Sequence, residues 1–532
     1  MLFSTPAIDR PKKTRKHGAK VKTGCKTCKI RRVKCDERKP SCSRCTSTGR
    51  KCDGYATKEE FEVQIVSYSQ AASLQRAVSS LSGFGENVHY LEFYYHCARP
   101  TLCSTFDYEF WSRIALQMAH SEPSVRHALI ALSYLHKTES GSLKHARSEF
   151  VANHHRRILF SHYNKSVRYL VNCMTEPSYT PEIGLVTCIL FICIEYLRAN
   201  YHTAFIHMTN GLKILSEWEH SRRHNSISPQ SCKTLRNGPI GSNTWIEDKV
   251  KPLFIRGITS ALLHGVDIEK CFPIPCPVLQ NLREQPFKTL LDAQSSSHEL
   301  RNATILYMRH MSQKLVQQIP ATAEDLRCQD YFLGCHNTWY RNLELLEAGS
   351  QLSREDIASA STLKVSYYTT YIYAACAAEV DQKQYDAHIE SFKALIHHTK
   401  IVIASMNLTT SCAAKFTFEI SIIAPLYFVA CYCRCPTTRR EAVSLLRLNL
   451  SREGLWDAQQ HVIVSNRVIE MEESEVDLET GWPVERTRLW SNVIDANMDR
   501  NGGFWVHFLP AIWVGEVEPD GKPKILHEWF VL

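Results

Sequence analysis

Apolar positions recur at helical spacing through most of this chain. In PSVRHALIALSYLH, Val125, Leu129, Leu132 and Leu135 fall at steps of four, three and three, which is one face of an α-helix, and Pro123 stands where helix starts accept proline. FIHMTNGLKILSEW, the Leu363–Val380 segment and Ala424–Cys431 carry comparable periods. The longest apolar run, Ile183 to Leu197, has 15 residues and includes Glu195. A membrane span needs about 20, so this run is predicted to be a buried core helix and no membrane is expected. Alternating β signals are missing until the C-terminus, where WVGEVEPDGKPKILHEWFVL sets Pro519-Asp520-Gly521 between two apolar runs and predicts a short hairpin. Ser221 to Asn243 is rich in Ser, Asn, Arg and Pro without a period and is predicted to be a disordered insertion. The expected layout is mainly α, with a basic disordered tail at 1–23, a small cysteine module at 24–54, a linker at 55–86 and a large all-helical region at 87–532.

Charge divides the chain along the same lines. Between Pro11 and Cys52 stand 16 Lys or Arg against Asp36 and Glu37, a formal +14, whereas the 532 residues together carry only +9 and residues 53–532 are net −5. Such asymmetry is expected when one end meets a polyanion and the rest does not. The run PKKTRK, Pro11 to Lys16, suits nuclear import or added phosphate contacts. With 44% apolar and 22% charged positions, the remainder can bury one or more large cores. The start MLFSTPAIDRPKKTRK has no apolar signal region, which points to a reducing compartment.

Six of the 21 cysteines lie in the basic stretch, at Cys25, Cys28, Cys35, Cys42, Cys45 and Cys52, so that C-x2-C-x6-C is repeated with an offset of 17. Paired C-x2-C spacing favours metal over disulfides. Tetrahedral zinc takes four ligands, and two ions need eight ligand places, so six thiolates suffice only if two sulfurs each bridge both ions. The repeat limits the bridging pair to Cys25 with Cys42, Cys28 with Cys45, or Cys35 with Cys52, and spacing alone does not choose. Six thiolates with two zinc ions leave the basic stretch at +12. The other 15 cysteines are scattered through apolar segments as small buried hydrophobes.

These six cysteines, the C-K-I-R-R-V-K-C run from Cys28 to Cys35 and Pro40 resemble the binuclear zinc cluster of fungal transcription factors. The resemblance implies that Cys25 and Cys42 bridge the ions and that the helix after Cys25 enters the DNA major groove. It places Arg31 and Arg32 where the family reads a CGG-type triplet. Arginine grips guanine O6 and N7 in bidentate fashion, while Lys26, Lys29, Lys34, Arg44 and Lys51 are placed to meet phosphates. Downstream, YLEFYYHCARPTLCSTFDYEFW, EPSVRHALIALSYLH, the LLDAQ around Asp292, CRCPTTRREAVSLL and REGLWD resemble the helical fungal-specific transcription factor domain. That likeness spans most of residues 87–475 and implies an all-helical regulatory domain, sometimes receptive to a small-molecule effector. The function expected is a nuclear, zinc-dependent, sequence-specific regulator of RNA polymerase II transcription acting on double-stranded DNA, with a homodimer as a further expectation. VQIVSYSQAASLQRAVSSLS after the cluster shows no sustained heptads for a coiled-coil dimeriser.

No enzyme is expected. H-E-x-x-H, G-x-S-x-G and P-loop patterns are missing, and SGFGEN at Ser82 is only a partial G-x-G. His154 and His155, beside Arg156 and Arg157, are expected on a solvated helix face. Arg439, Arg440, Glu441, Arg452 and Glu453 are expected to cap and bridge packed helices, and Tyr367, Tyr368, Tyr371 and Tyr373 to pack in the core. The acidic run Glu470 to Thr480 reads as a helix end passing into a solvated loop.

Overall fold

A computed structural model describes residues 25, 27–28, 31, 33–52, 54, 85–102, 107–147, 153–226, 245–263, 286–349, 351–406, 414–495, 498–499, 501–511 and 524–532. The chain divides into two compact units, Met1–Gly85 and Glu86–Leu532. The expected tail, nearly all of the linker and the side chains of His154 and His155 lie outside the described residues. Among the described residues of the first unit, Thr27 and Cys28 are helical and a short helix, α1, runs over Ser43–Thr46. The second is mostly helical and ends in a small sheet.

In the second unit, α2 (Pro123–Thr138) starts with Pro123 in its first turn and buries Val125, Leu129, Leu132 and Leu135, the four positions read from the periodicity. It packs on α3 (Asn153–Met174) and on α4 (Pro181–Leu197), which pairs with α5 (Tyr201–Ser226). Every residue of α4 from Ile183 to Leu197 is buried. Among the described residues no helix is long and apolar enough to cross a membrane.

Helix α5 runs through Ser221–Ser226, the first six residues of the stretch predicted to be irregular. Composition misled there because the turn is held by one neighbour on the same helix face and one partner distant in sequence. The Arg222 guanidinium stacks on Trp218 and pairs with Glu247 at 3.0 Å. The rest of that stretch lies outside the described residues. At Gly211, helix α5 meets α6 (Lys251–Leu263) so closely that an added Cβ would sit 2.2 Å from the Phe254 ring.

Four long helices follow: α7 (Leu290–Val316), α8 (Ala323–Gly349), α9 (Arg354–Ala375) and α10 (Ile389–Ser405). Reciprocal capping boxes, Thr289 with Asp292 and Ser353 with Asp356, start α7 and α9 by satisfying donors that a helix N-terminus leaves open. Helix α7 packs on α8 and α9, and α9 on α10. Of the α9 tyrosines expected in the core, Tyr367 is buried and Tyr368, Tyr371 and Tyr373 are half-buried among aromatic rings. Tyr367 stacks on Tyr340 with ring centres 4.4 Å apart, and Tyr373 meets Phe428 and Tyr432.

Helices α11 (Ile423–Tyr432), α12 (Pro436–Leu446) and α13 (Ala458–Glu472) form the third group. The segment REGLWD, Arg452 to Asp457, ties it to the first. Arg452 donates to the carbonyls of Tyr196 and Leu197 at the end of α4, at 2.8 and 2.9 Å. Glu453 accepts from the backbone N–H groups of Ser421, Ile422 and Ile423 at the start of α11, at 2.9 to 3.1 Å. Asp457 caps α13 by accepting from the Gln460 N–H at 3.0 Å. Cation at a C-terminus and carboxylate at an N-terminus is the arrangement the helix dipole favours. Backbone pairing of β1 (Phe416–Thr417) with β2 (Arg452–Glu453), in parallel, fixes the segment in place. Nearby, fully buried Glu472 accepts from Arg434 at 3.0 Å, Arg439 at 2.8 Å and the Leu489 N–H at 2.9 Å.

The chain closes in a sheet of β3 (Leu489–Ile494), β4 (Gly503–Pro510) and β5 (Leu526–Val531), antiparallel in that order. The expected C-terminal β structure is present as a sheet of three strands, with β5 inside the predicted second arm. Gly503 pairs with Val531 and Phe508 with Leu526, whereas Trp513–Val517 and the Pro-Asp-Gly turn lie outside the described residues. Phe504, Val506 and Phe508 bury one face of β4, the alternation expected of a half-buried strand.

Candidate metal centre

In the first unit, local backbone structure brings the sulfurs together. After Cys25 the chain turns helically, with Arg31 N–H on the Thr27 carbonyl and Val33 N–H on that of Cys28, both at 3.1 Å. Helix α1 then follows Cys42, and its N-terminus is capped across the repeat by Asp36, whose carboxylate takes the N–H groups of Ser43 at 3.0 Å and Arg44 at 3.2 Å. Burial opposes the charge of the Asp36 carboxyl, but the hydrogen bonds from Ser43 and Arg44 together outweigh it and hold the group down at about 2. Gly49 ends the turn at φ +66, a left-handed conformation that glycine adopts without steric cost. Two further contacts join the halves, Arg31 Nη1 to Thr48 Oγ1 and Thr27 Oγ1 to the Lys51 carbonyl, both at 3.4 Å.

The buried set of this unit, among the described residues, is the sulfurs themselves. Cys25, Cys28, Cys35, Cys42 and Cys45 are buried and Cys52 packs against them. Cys25 and Cys42 lie 3.5 Å apart, Cys28 and Cys42 3.6 Å, and both Cys25 and Cys28 are 3.8 Å from Cys45. A tetrahedron with Zn–S bonds of about 2.3 Å has edges of about 3.8 Å, so the spacing fits. Two quartets have all their sulfurs within 4.8 Å of one another, Cys25 with Cys28, Cys35 and Cys42, and Cys25 with Cys42, Cys45 and Cys52. They share Cys25 and Cys42. Of the three bridging pairs the spacing left open, this is the one that serves two four-sulfur sites from six residues.

Donor chemistry agrees with the spacing. Burial pushes the Cys25 thiol up to about 12, the cost of crowding sulfur anions away from water. At Cys35 burial acts the same way, but N–H bonds from Cys25 and Glu37, each 3.4 Å, outweigh it and bring the thiol down to about 7. Packed thiolates of this kind need cations between them. Zinc, when bound, supplies that charge and the cross-links that a module this small cannot obtain from an apolar core.

Of the residues expected to meet DNA, Arg31 is partly buried against the second half of the repeat, while Lys34, Arg44 and Lys51 are exposed. Lys26, Lys29 and Arg32 lie outside the described residues. The sequence reading missed Asp36 and Thr48, which had registered only as one acid among many bases and one polar turn residue. Their sequence signal is offset. Asp36 directly follows Cys35 and stands seven residues before the helix start it caps.

Residues 23–60 match the fungal Zn(2)-Cys(6) binuclear cluster domain, and residues 89–235 match the fungal specific transcription factor domain. Over 240 residues the chain is 28% identical to the aspercryptin biosynthesis cluster-specific transcription regulator atnN of Emericella nidulans, a stretch covering 39% of this chain and 37% of that protein. Over 202 residues it is 29% identical to the transcription regulator lscL of Purpureocillium lilacinum, covering 36% of this chain and 48% of the relative. A 45-residue stretch is 56% identical to the transcriptional regulatory protein moc3 of Schizosaccharomyces pombe, 8% of each chain. The matched stretches thus span less than half the length of these relatives. No solved structure matches the chain. Sulfur geometry and likeness converge on one conclusion: the chain carries a fungal Zn(2)-Cys(6) binuclear cluster domain followed by a fungal specific transcription factor domain, and the relatives it resembles are named as fungal transcription regulators.

Proposed function

We propose that this protein is a nuclear, zinc-dependent regulator of RNA polymerase II transcription that reads CGG-type sites in the DNA major groove. The observation that carries the proposal is the pair of sulfur quartets sharing Cys25 and Cys42 inside the one strongly basic stretch of the chain. In this reading all six cysteines are zinc ligands, and eight coordination places filled by sulfur leave no open position for catalysis. Arg31 and Arg32 read guanine. The contact of Arg31 Nη1 with Thr48 supports this role, because it anchors one corner of the guanidinium and leaves the Nε and Nη2 edge for O6 and N7. Lys26, Lys29, Lys34, Arg44 and Lys51 bind phosphates and supply affinity without sequence information. A homodimer reading two half-sites, and a small effector acting on the helical region, complete the proposal.

The test uses the zinc-loaded chain and CGG-containing DNA against scrambled DNA. Arg32→Ala is expected to flatten the preference, by about 1 to 3 kcal/mol per lost guanine contact. Lys29→Ala is expected to weaken both DNAs alike and to reduce the salt slope by about one unit. An Arg32→Ala protein that keeps its sequence preference would overturn the base-reading assignment.

A further inference from the structure

On the face of the C-terminal sheet turned away from Phe504, Val506 and Phe508, the register of β4 and β5 sets side chains in matched rows. Trp505 stands opposite Trp529, and His507 opposite His527. Side chains alternate between the two faces of a sheet along each strand, so these four share the outer face. Trp505, Trp529 and His527 are exposed and His507 is half-buried. The two indole rings lie 5.2 Å apart between centres, and the two imidazoles bring their Nδ1 atoms to 2.5 Å.

Among the described residues the side-chain hydrogen bonds of His507 and His527 are made to each other alone. Val493 of β3 completes their row, and Asp495 stands opposite Trp505 in the next, its N–H on the Trp505 carbonyl at 2.9 Å. These rows carry no Lys or Arg, so nothing in them repels a cation. A second pair, His127 of α2 with His162 of α3, also meets through Nδ1 atoms, at 3.0 Å. There burial, His162, Lys165 and Arg126 together bring His127 down to about 4, and the same forces oppose any added positive charge. The sheet pair is open to water and free of that opposition.

We propose that His507 and His527 bind a further divalent transition-metal ion through their paired Nδ1 atoms, with water completing the coordination. Imidazole suits zinc, nickel and copper, whereas hard cations such as magnesium prefer oxygen. With metal–nitrogen bonds of about 2.0 to 2.1 Å, two nitrogens on one ion stand about 2.9 Å apart in a square-planar site and about 3.3 Å apart in a tetrahedral one. The pair must therefore open by about 0.4 to 0.8 Å, a small rotation about imidazole χ2 torsions whose wells are broad. Ligation needs both rings in the Nε2–H tautomer. The ring that donates its Nδ1 proton to the other moves that proton to Nε2 through solvent, with no net gain or loss. The bound ion ties β5, at the edge of the sheet, to β4 by a side-chain link beside their backbone ladder.

The experiment starts from the full chain with its cysteine module already loaded with zinc, and titrates it with zinc and with nickel ions by calorimetry, magnesium serving as the comparison. Saturable uptake of one further zinc equivalent is expected, lost in His507→Asn and in His527→Asn. Nickel is paramagnetic and should quench the fluorescence of the adjacent Trp505 and Trp529 in wild type, with that quenching lost in both variants. Saturating zinc should raise the melting temperature of wild type and leave the variants unmoved. Before the further equivalent is added, the variants should melt with wild type, since both side chains stand on the outer face. Failure of wild type to take up the further zinc, undiminished uptake by either variant, or magnesium bound as tightly as zinc would each overturn the proposal.

Discussion

Glu453 carries three backbone N–H bonds and yet is held up to about 7, because complete burial opposes its charge more strongly than those donors favour it. The sign of its effect on stability follows. Between the ordinary 4.5 and about 7 the folded chain keeps a proton that the unfolded chain has released, so stability falls as pH rises through that window and is flat above it. The expected size is roughly 2 to 3 kcal/mol. Glu453→Gln lacks this titration, so the stability advantage of wild type over the variant should narrow between pH 5 and 7 in denaturant melts. An unchanged gap would mean that Glu453 is ionised throughout. Residue roles were legible in the sequence where a motif marked them. Arg439, Arg452 and Glu453 read as capping and bridging residues, and Arg440 pairs with Glu473 at the end of α13 in the same manner. Arg434 and Glu472 were not singled out, because a buried pair formed across 38 residues leaves no local pattern.

Among the elements, helices were the most legible, since α2, α9 and α11 repeat their apolar positions and α4 is one continuous apolar run. Strand β3 was not, because a bulge between Leu489 and Ser491 breaks its alternation and mixed burial hides which face is inside. The packing of α5 on α6 gives a test at this scale. In an exposed helix Gly→Ala gains about 1 kcal/mol. At Gly211 the new methyl would meet the Phe254 ring, so Gly211→Ala should instead lose about 1 to 3 kcal/mol in thermal melts. A stabilised variant would show that α5 and α6 can separate at little cost.

For the whole molecule, the two units draw stability from different sources, sulfur and metal in one and apolar helix packing in the other. Chelation or Cys35→Ser is therefore expected to release zinc and unfold the cysteine module while leaving the helical melting transition in place. Two zinc ions retained per chain after Cys35→Ser would refute the shared-sulfur arrangement. This division was already visible in the sequence, where a +14 stretch precedes a net −5 remainder. What the sequence withheld was a cavity lined by Arg301 and Glu419, whose walls come from segments far apart in the chain.

The segment REGLWD also sets a clock on synthesis. The carbonyls that end α4 are satisfied by Arg452, 255 residues later. At about 5 to 20 residues per second, the ribosome delivers that arginine roughly 13 to 50 s after the helix it closes. Throughout that interval the apolar helix has its local closing bonds, such as Ala199 N–H on the Tyr196 carbonyl at 2.9 Å, but not the long-range clamp from Arg452, and it is a natural client for chaperones. A fragment ending at Leu450 should accordingly aggregate or bind chaperone when expressed, whereas one recovered as a soluble monomer with a cooperative melt would show that the first helices stand on their own.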